Sequence, residues 1–352
     1  MFAYITPQAK QYRANLHSHS TLSDGRLTPE QLVEAYREAG YSILAITDHE
    51  APYDHTALST PDLLLLTGYE AYIRPSHTAA FDPFLPEIHL NLLAKDPHNT
   101  AIVGFDPNFC KYMPLKVAQQ RKHLGNLGPR RYYRAYVQEF MDEARHGGYL
   151  VAYNHPCWSM EAEEDVLSYQ GCFSLEMFNT GSQLTSGGES NLALFDKLLR
   201  RGKFLFVHGA DDNHNKEPFG TLLCDSFGAW TQVLAKDLEY QSVIEALEKG
   251  DFYATTRPTI TNLTFDRNHV TLDCTPAQRI IAHGSPKVAR NICNPDGSPV
   301  THAEFDIPDK APMCTSRCLS PTAKPPVPGP SGRKNSVGDL CPERSSPYVW
   351  FP

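Results

Sequence analysis

Short apolar runs rich in Leu, Ile and Val recur along the first 210 residues, with amphipathic stretches between them. This alternation predicts βα units and a parallel sheet. One expected strand ends near Leu16, and others cover 43–47, 63–66, 88–93, 149–153, 173–177 and 203–207. The run Ile43-Leu-Ala-Ile is apolar throughout, as a strand buried on both faces should be. The helix after the first strand has three start signals: Thr28 at the cap, Pro29 in the first turn and Gln31 for a capping box. Leu32, Val33, Tyr36 and Ala39 mark its buried face, and Gly40 ends it. Further helices are expected over 132–144, 192–201 and 241–248. Residues 95–128 are less regular and read as an insertion forming a wall or lid beside a site.

After Arg257-Pro258 the pattern changes to short alternating segments, such as Ile260, Leu263 and Phe265, then Val270 and Leu272. The expected organisation is therefore a barrel-type domain over 1–258 and a small β-rich domain over 259–312. From Met313 to residue 352 the chain is rich in Pro, Ser and Cys and has no periodicity. Two origins fit this stretch. It is a disordered tail, or a single-base frameshift begins after Pro312, in which case the restored frame would permit another alternating strand completing the β-domain.

Composition narrows the class. With 41% hydrophobic and 20% charged residues the chain reads as a soluble globular protein. A net charge of −8 argues against strong nonspecific nucleic-acid binding. No apolar run approaches the roughly 18 residues of a membrane span, and the first residues lack a signal-peptide layout, so cytoplasm is the default expectation. The nine cysteines show no C-x-x-C spacing, and Cys110, Cys157, Cys172 and Cys224 read as reduced thiols.

Metal-type ligands close, or nearly close, these strands: His17, His19 and Asp24, then His49, Glu70, His89, His155, Glu176, and Asp212 with His214. A lone His-x-His has little weight in a chain with 15 histidines. Joint placement is what counts, because the strand C-termini of a parallel barrel open onto one face. His89 departs from the rule by standing at the start of its strand. Glu176 and Asn179 are candidates for fixing substrate or bracing a loop, and Arg130, Arg131 and Lys95 for gripping a phosphate. Asp48 reads as a partner of the ligands, Asp211 as structural and His208 as core.

The segments NLHSHSTLSDG…AITDHE, TGYE, IHLNLLA, YNHP and GADDNH occur in the order found in the PHP (polymerase and histidinol phosphatase) superfamily, which residues 12–258 resemble. The segment ALEKGDFYATTRPTITNL is similar to the carbaryl-hydrolase-like (CehA/McbA-type) branch, in which a small β-domain comes after the PHP domain. The resemblance implies a distorted seven-stranded (β/α)7 barrel, an α/β fold, holding two to three divalent ions (Mn²⁺, Zn²⁺ or Fe²⁺). One ion would take His17, His19, Glu70 and Asp212, and a second Glu70, His89 and His155. A third would take Asp24, His49 and His214.

A water shared by two such cations loses its proton near neutral pH, since coordination can lower its pKa from about 15.7 to about 7. Attack by that hydroxide makes a phosphoesterase the leading expectation, acting on a small phosphomonoester or phosphodiester. Glu70, Asp212 and His214 are its candidate catalytic groups. The alternative is an ester, carbamate or amide hydrolase of the carbaryl-hydrolase type. A metal-stabilised binding module without catalysis stands third.

Overall fold

The computed structural model describes residues 2–75, 81–187, 191–285, 288–306, 315–319 and 349–350. In chain order the first strands are β1 (Phe2–Ile5), β2 (Tyr12–Asn15), β3 (Ile43–Ile46), β4 (Leu64–Ile73) and β5 (Ile88–Ala94). Two short strands, β6 (Ile102–Val103) and β7 (His123–Leu124), pair within the insertion. Then come β8 (Tyr149–Tyr153), β9 (Ser174–Asn179), β10 (Phe206–Ala210), β11 (Trp230–Val233) and β12 (Phe252–Thr255). The main helices are Pro29–Glu38, Arg134–His146, Leu192–Arg200 and Tyr240–Lys249. The first is capped as expected, with Thr28 and Gln31 exchanging side-chain and backbone hydrogen bonds. Among the described residues, no helix is long and apolar enough to cross a membrane.

The central sheet runs β10-β9-β8-β5-β4-β3-β2-β11-β12, with the short strand Val349–Trp350 on its edge. It is α/β, but it is mixed rather than the parallel sheet that the alternating pattern predicts. Strand β5 runs antiparallel to both β4 and β8, and β11 runs antiparallel to β2 and β12. The reversal of β5 accounts for His89. An antiparallel strand brings its first residues, not its last, to the mouth, and His89 pairs with Tyr72 while Asn91 pairs with Glu70. Strand β4 also continues through Glu70 to Ile73 rather than stopping before it. Its pairing with β5 keeps the added length in the sheet.

At the mouth the sheet nearly closes. Ser18 bridges Asn213 in parallel, the Asp212 amide donates to the His17 carbonyl, and the His19 amide donates to Asn213. Lower down, Thr231 Oγ1 bonds both backbone groups of Gly209, where an added Cβ would lie 2.8 Å from the Trp230 carbonyl oxygen. Only glycine permits that approach.

The β-rich region has its own core, formed by Ile260, Leu263, Val270, Leu272, Ile280, Ala303 and Phe305. Its strands are Ile260–Asp266, His269–Ala277 and Val300–Asp306 in one sheet, and Arg279–Ser285, Val288–Ile292 and Thr315–Leu319 in another. Strand β1 pairs with Ile260–Asp266, so the N-terminus joins this unit rather than the barrel. Tyr253 of β12 packs into the same core and ties the two parts together. Within the stretch from 313, Thr315–Leu319 and Val349–Trp350 form strands. Residues 313–314, 320–348 and 351–352, on which the tail and frameshift expectations chiefly fall, lie outside the described residues.

Candidate metal centre

His17 and His19 stand two apart on the extended segment after β2, so both side chains leave the same face. Ser18 between them turns away and donates to the Ala45 carbonyl. Gly25 lets the next loop fold back, since a Cβ there would lie 2.2 Å from the His19 carbonyl oxygen. Asp48 holds this loop by accepting from the Ser20 amide, Ser20 Oγ and Ser23 Oγ. Backbone strain gathers at the mouth: Glu50, His155, Asp212 and Asn215 all have positive φ.

Among the described residues, three interlocking clusters result. The innermost joins His17, His19, Glu70 and Asp212, all buried. A second, nearer solvent, joins His19, Asp24, His49 and His214, and a third His49, Glu70 and His89. Glu70 is the hub. Its Oε1 lies 3.2 Å from His17, 3.0 Å from His89 and 3.2 Å from His155. Its Oε2 lies 3.0 Å from His49 and 3.4 Å from His19. Asp212 Oδ1 sits 3.2 Å from His17 and 3.0 Å from His19. Asp24 Oδ1 gathers His214 at 3.4 Å and His49 at 3.7 Å.

The donors fit divalent ions. Ligands about 2.1 Å from one ion stand about 3.0 Å apart on an octahedron and about 3.4 Å apart on a tetrahedron. The spacings of the inner cluster, 3.0 to 3.4 Å, fall in that range. Among the described residues, His49 Nδ1, Glu70 Oε2 and His89 Nδ1 are buried without a partner in hydrogen-bond geometry. Buried polar atoms are seldom left so, and an ion would satisfy all three. The mixture of imidazole and carboxylate suits Mn²⁺, Zn²⁺ or Fe²⁺.

This grouping departs from the ligand sets that the resemblance implied in two places. His49 rather than His155 completes the cluster of Glu70 and His89, while His155 Nε2 stands 3.2 Å from Glu70 and 3.9 Å from Asp212. His19 joins Asp24, His49 and His214 as well as the inner cluster.

Carboxylates behind the histidines fix their rings. Glu176 Oε1 lies 3.0 Å from His17 Nδ1, and Glu176 Oε2 accepts from the His155 amide. Glu87 Oε1 lies 2.8 Å from His89 Nε2 and is itself paired with Arg74. Sequence patterns do not single out Glu87; its place two residues before a ligand on one strand is the available signal. Such partners orient the ring and raise its basicity. Glu176→Gln should lower metal affinity about 10–100-fold, read by competition against a chromogenic chelator.

Burial opposes charge in the cluster; mutual attraction outweighs it at Glu70, Asp212, Glu176, His19 and His89, whereas burial and the neighbouring His19 lower His49. Glu70 and Asp212 are held well below the usual carboxylate range by the histidines around them, and Glu176 is lowered to about 2. Despite burial, hydrogen bonds and attraction to Asp212 and Glu70 raise His19 to about 10. Attraction to Glu70, with Glu87 against Nε2, does the same for His89. Without metal these rings hold protons at neutral pH. Metal must displace them, so apparent affinity should climb as pH rises from 6 to 9, with protons released. Calorimetry in buffers of different ionisation heat measures the release; an affinity flat across that range would contradict the protonated cluster.

The other sequence candidates fall elsewhere. Arg130 is 1% exposed and forked onto Glu50, so it grips no substrate. Arg131 is exposed and does not line the cavity. Lys95 pairs with Glu248. Asn179 is buried and donates to Glu176 and Asp212, which makes it a brace beneath the site. Asp211 accepts three backbone amides from 227–229 and the Tyr36 hydroxyl, and is structural.

Above the clusters opens a cavity of about 560 Å³. Arg74, Lys111 and Lys216 contribute positive charge to it, and Phe81, Tyr112, Trp158, Leu184 and Leu223 contribute apolar surface. Lys111 and Tyr112 come from the 95–128 insertion, whereas most of the apolar wall does not.

Residues 15–144 match the family model of the PHP domain. An error-prone DNA polymerase of Mycolicibacterium paratuberculosis is 38% identical over 91 residues, which are 24% of this chain and 8% of the polymerase. The chain thus spans less than a tenth of the curated relatives it matches. Among solved structures, a two-domain Bacteroides vulgatus protein containing a predicted PHP-like metal-dependent phosphoesterase aligns with 90% of this chain and 91% of its own, at 17% identity and a TM-score of 0.43. An amidohydrolase from Chromobacterium violaceum with bound sulfate and no metal aligns with 57% of this chain and 87% of its own, at 15% identity and a TM-score of 0.37. Over the stretch that carries His17, His19, Asp24, His49, Glu70 and His89, this chain matches the PHP domain family.

Proposed function

We propose that the chain is a metal-dependent phosphoesterase hydrolysing a small phosphomonoester or phosphodiester. The observation that carries it is the set of three His-carboxylate clusters sharing Glu70, His19 and His49 beneath a cavity edged by Arg74, Lys111 and Lys216. The PHP match supports it. Divalent ions held there would polarise a phosphoryl oxygen, acidify a water and offset the phosphate's charge. The protein's own groups then do the rest. Glu70 presents one carboxylate oxygen to each side of the cluster. Asp212, with Oδ2 held by Asn179, orients the attacking water from Oδ1. His214 lines the cavity at the partly exposed rim and is the candidate to protonate the departing group.

The small β-rich unit and its similarity in sequence favour the carbaryl-hydrolase-like branch, and the Phe81–Trp158 wall is the feature that favours ester or carbamate cleavage as the second reading. We place the protein in the cytoplasm, with a small-molecule substrate. Mn²⁺-loaded protein should turn over para-nitrophenyl phosphate or its bis ester. Turnover of para-nitrophenyl acetate alone would select the second reading, and no turnover with metal bound would reject both.

A further inference from the structure

We infer that the chain has a second binding site, separate from the metal centre, which takes a medium-chain aliphatic carboxylate. The site is a cavity of about 370 Å³ to which strands β8 and β9 and the helix Leu192–Arg200 contribute Tyr153, Leu175 and Leu198. It shares no lining residue with the cavity above the clusters. Val166, Leu175 and Leu198 belong to the main apolar core and Leu205 packs against it, so much of the lining is hydrocarbon. Phe204, 55% exposed, extends that surface towards solvent. Tyr153 and Tyr169 also line the cavity, but both spend their hydroxyls on Glu161. Tyr153 and Leu175 come shortly before His155 and Glu176 in the chain. An occupant would therefore touch the strands that carry the metal centre without entering it.

One cation marks the place of the ligand's head group. Lys203 is half-buried at this cavity, and its Nζ donates to the Tyr169 carbonyl at 3.2 Å. Among the described residues no carboxylate pairs with it. Burial and the neighbouring Arg201 both push its ammonium down, so an anion here would offset a charge left without a counterion. The Cys172 thiol does not supply that anion, because burial pushes it up to about 12. Positive charge at one point and hydrocarbon over much of the rest suit an amphiphile with one negative group. A carboxylate is matched by the single ammonium, whereas a phosphate would bring a second charge into an apolar cavity. Each methylene laid on the Val and Leu surface adds to binding, and a chain of about eight carbons suits a cavity of this volume.

The test titrates octanoate, below its micelle concentration, into the Mn²⁺-loaded full chain by calorimetry, with octan-1-ol and acetate alongside. One octanoate should bind per chain, about tenfold more tightly than either comparison. Lys203→Met should weaken octanoate about tenfold and leave octanol unchanged, and Phe204→Ala should weaken both. Neither side chain is buried, so either variant should fold. Chelation should leave the octanoate affinity as it was, with far-UV circular dichroism confirming that the chain stays folded. Absence of octanoate binding, or an affinity untouched in both variants, would overturn the second site. Binding lost on chelation from a still folded chain would overturn it too, by assigning the carboxylate to the metal ions.

Discussion

Glu70→Gln should strip the centre of metal and lower hydrolysis on the order of 10³-fold, since the loss of several kcal/mol of metal-borne charge stabilisation translates at 1.4 kcal/mol per decade. Glutamine keeps the volume of the side chain, so packing around this fully buried position survives. What disappears is the one carboxylate that faces His17, His89 and His155 with one oxygen and His19 and His49 with the other. An amide nitrogen in either place would point a donor at ligand atoms that need one free lone pair each. The histidines would also lose the negative charge that offsets a bound cation. Far-UV circular dichroism should be unchanged while phosphate turnover and metal content fall together. His17→Ala and Asp212→Ala should act in the same direction, through the inner cluster alone.

Much of this centre was legible in the sequence because strand ends in an α/β sheet converge. His17, His19, Asp24, His49, Glu70, Asp212 and His214 could be grouped from their positions after apolar runs. The reversal of β5 could not. Residues 88–93 look the same whether the strand runs up or down, and direction is decided by pairing with β4 and β8. Strands β11 and β12 were missed for a related reason. Trp230–Val233 mixes apolar and polar residues, and Phe252–Thr255 comes after a helix without a clear break. The joining of β1 to the C-terminal unit spans more than 250 residues, and no local pattern reports it. Glu87, Trp158 and Phe81 likewise owe their importance to neighbours distant in the chain. Arg130 shows the converse error: a charge read as facing substrate proves to be the largest fully buried side chain among the described residues.

That burial gives the second large effect. Arg130→Met should destabilise the fold by about 3–5 kcal/mol, the range for removing one partner of a buried ion pair. The guanidinium donates to both oxygens of Glu50 at 2.5 and 2.8 Å, and to the carbonyls of Tyr72, Gly104 and Val103. Without it, the Glu50 carboxylate is left enclosed, 5% exposed, with its cationic partner gone. Adding Glu50→Gln to Arg130→Met should recover part of the loss, because the stranded charge is gone. Arg130→Lys should fall between, keeping charge but not the two-pronged geometry. The pair also bears on the site. Glu50 comes directly after His49, donates its amide to the Glu70 carbonyl and accepts from the Tyr72 amide. Its loosening should therefore weaken metal binding as well as stability. Urea unfolding of chelator-treated protein separates the two, since bound metal would otherwise raise apparent stability by mass action.

The central claim is that the three clusters form one metal centre organised by Glu70. Equilibrium dialysis against Mn²⁺, with elemental analysis of wild type and Glu70→Gln side by side, tests it most directly. The account predicts two to three equivalents per wild-type chain and a collapse to less than one in the variant. A wild-type protein that retains no metal, or a variant that retains all of it, would contradict the account.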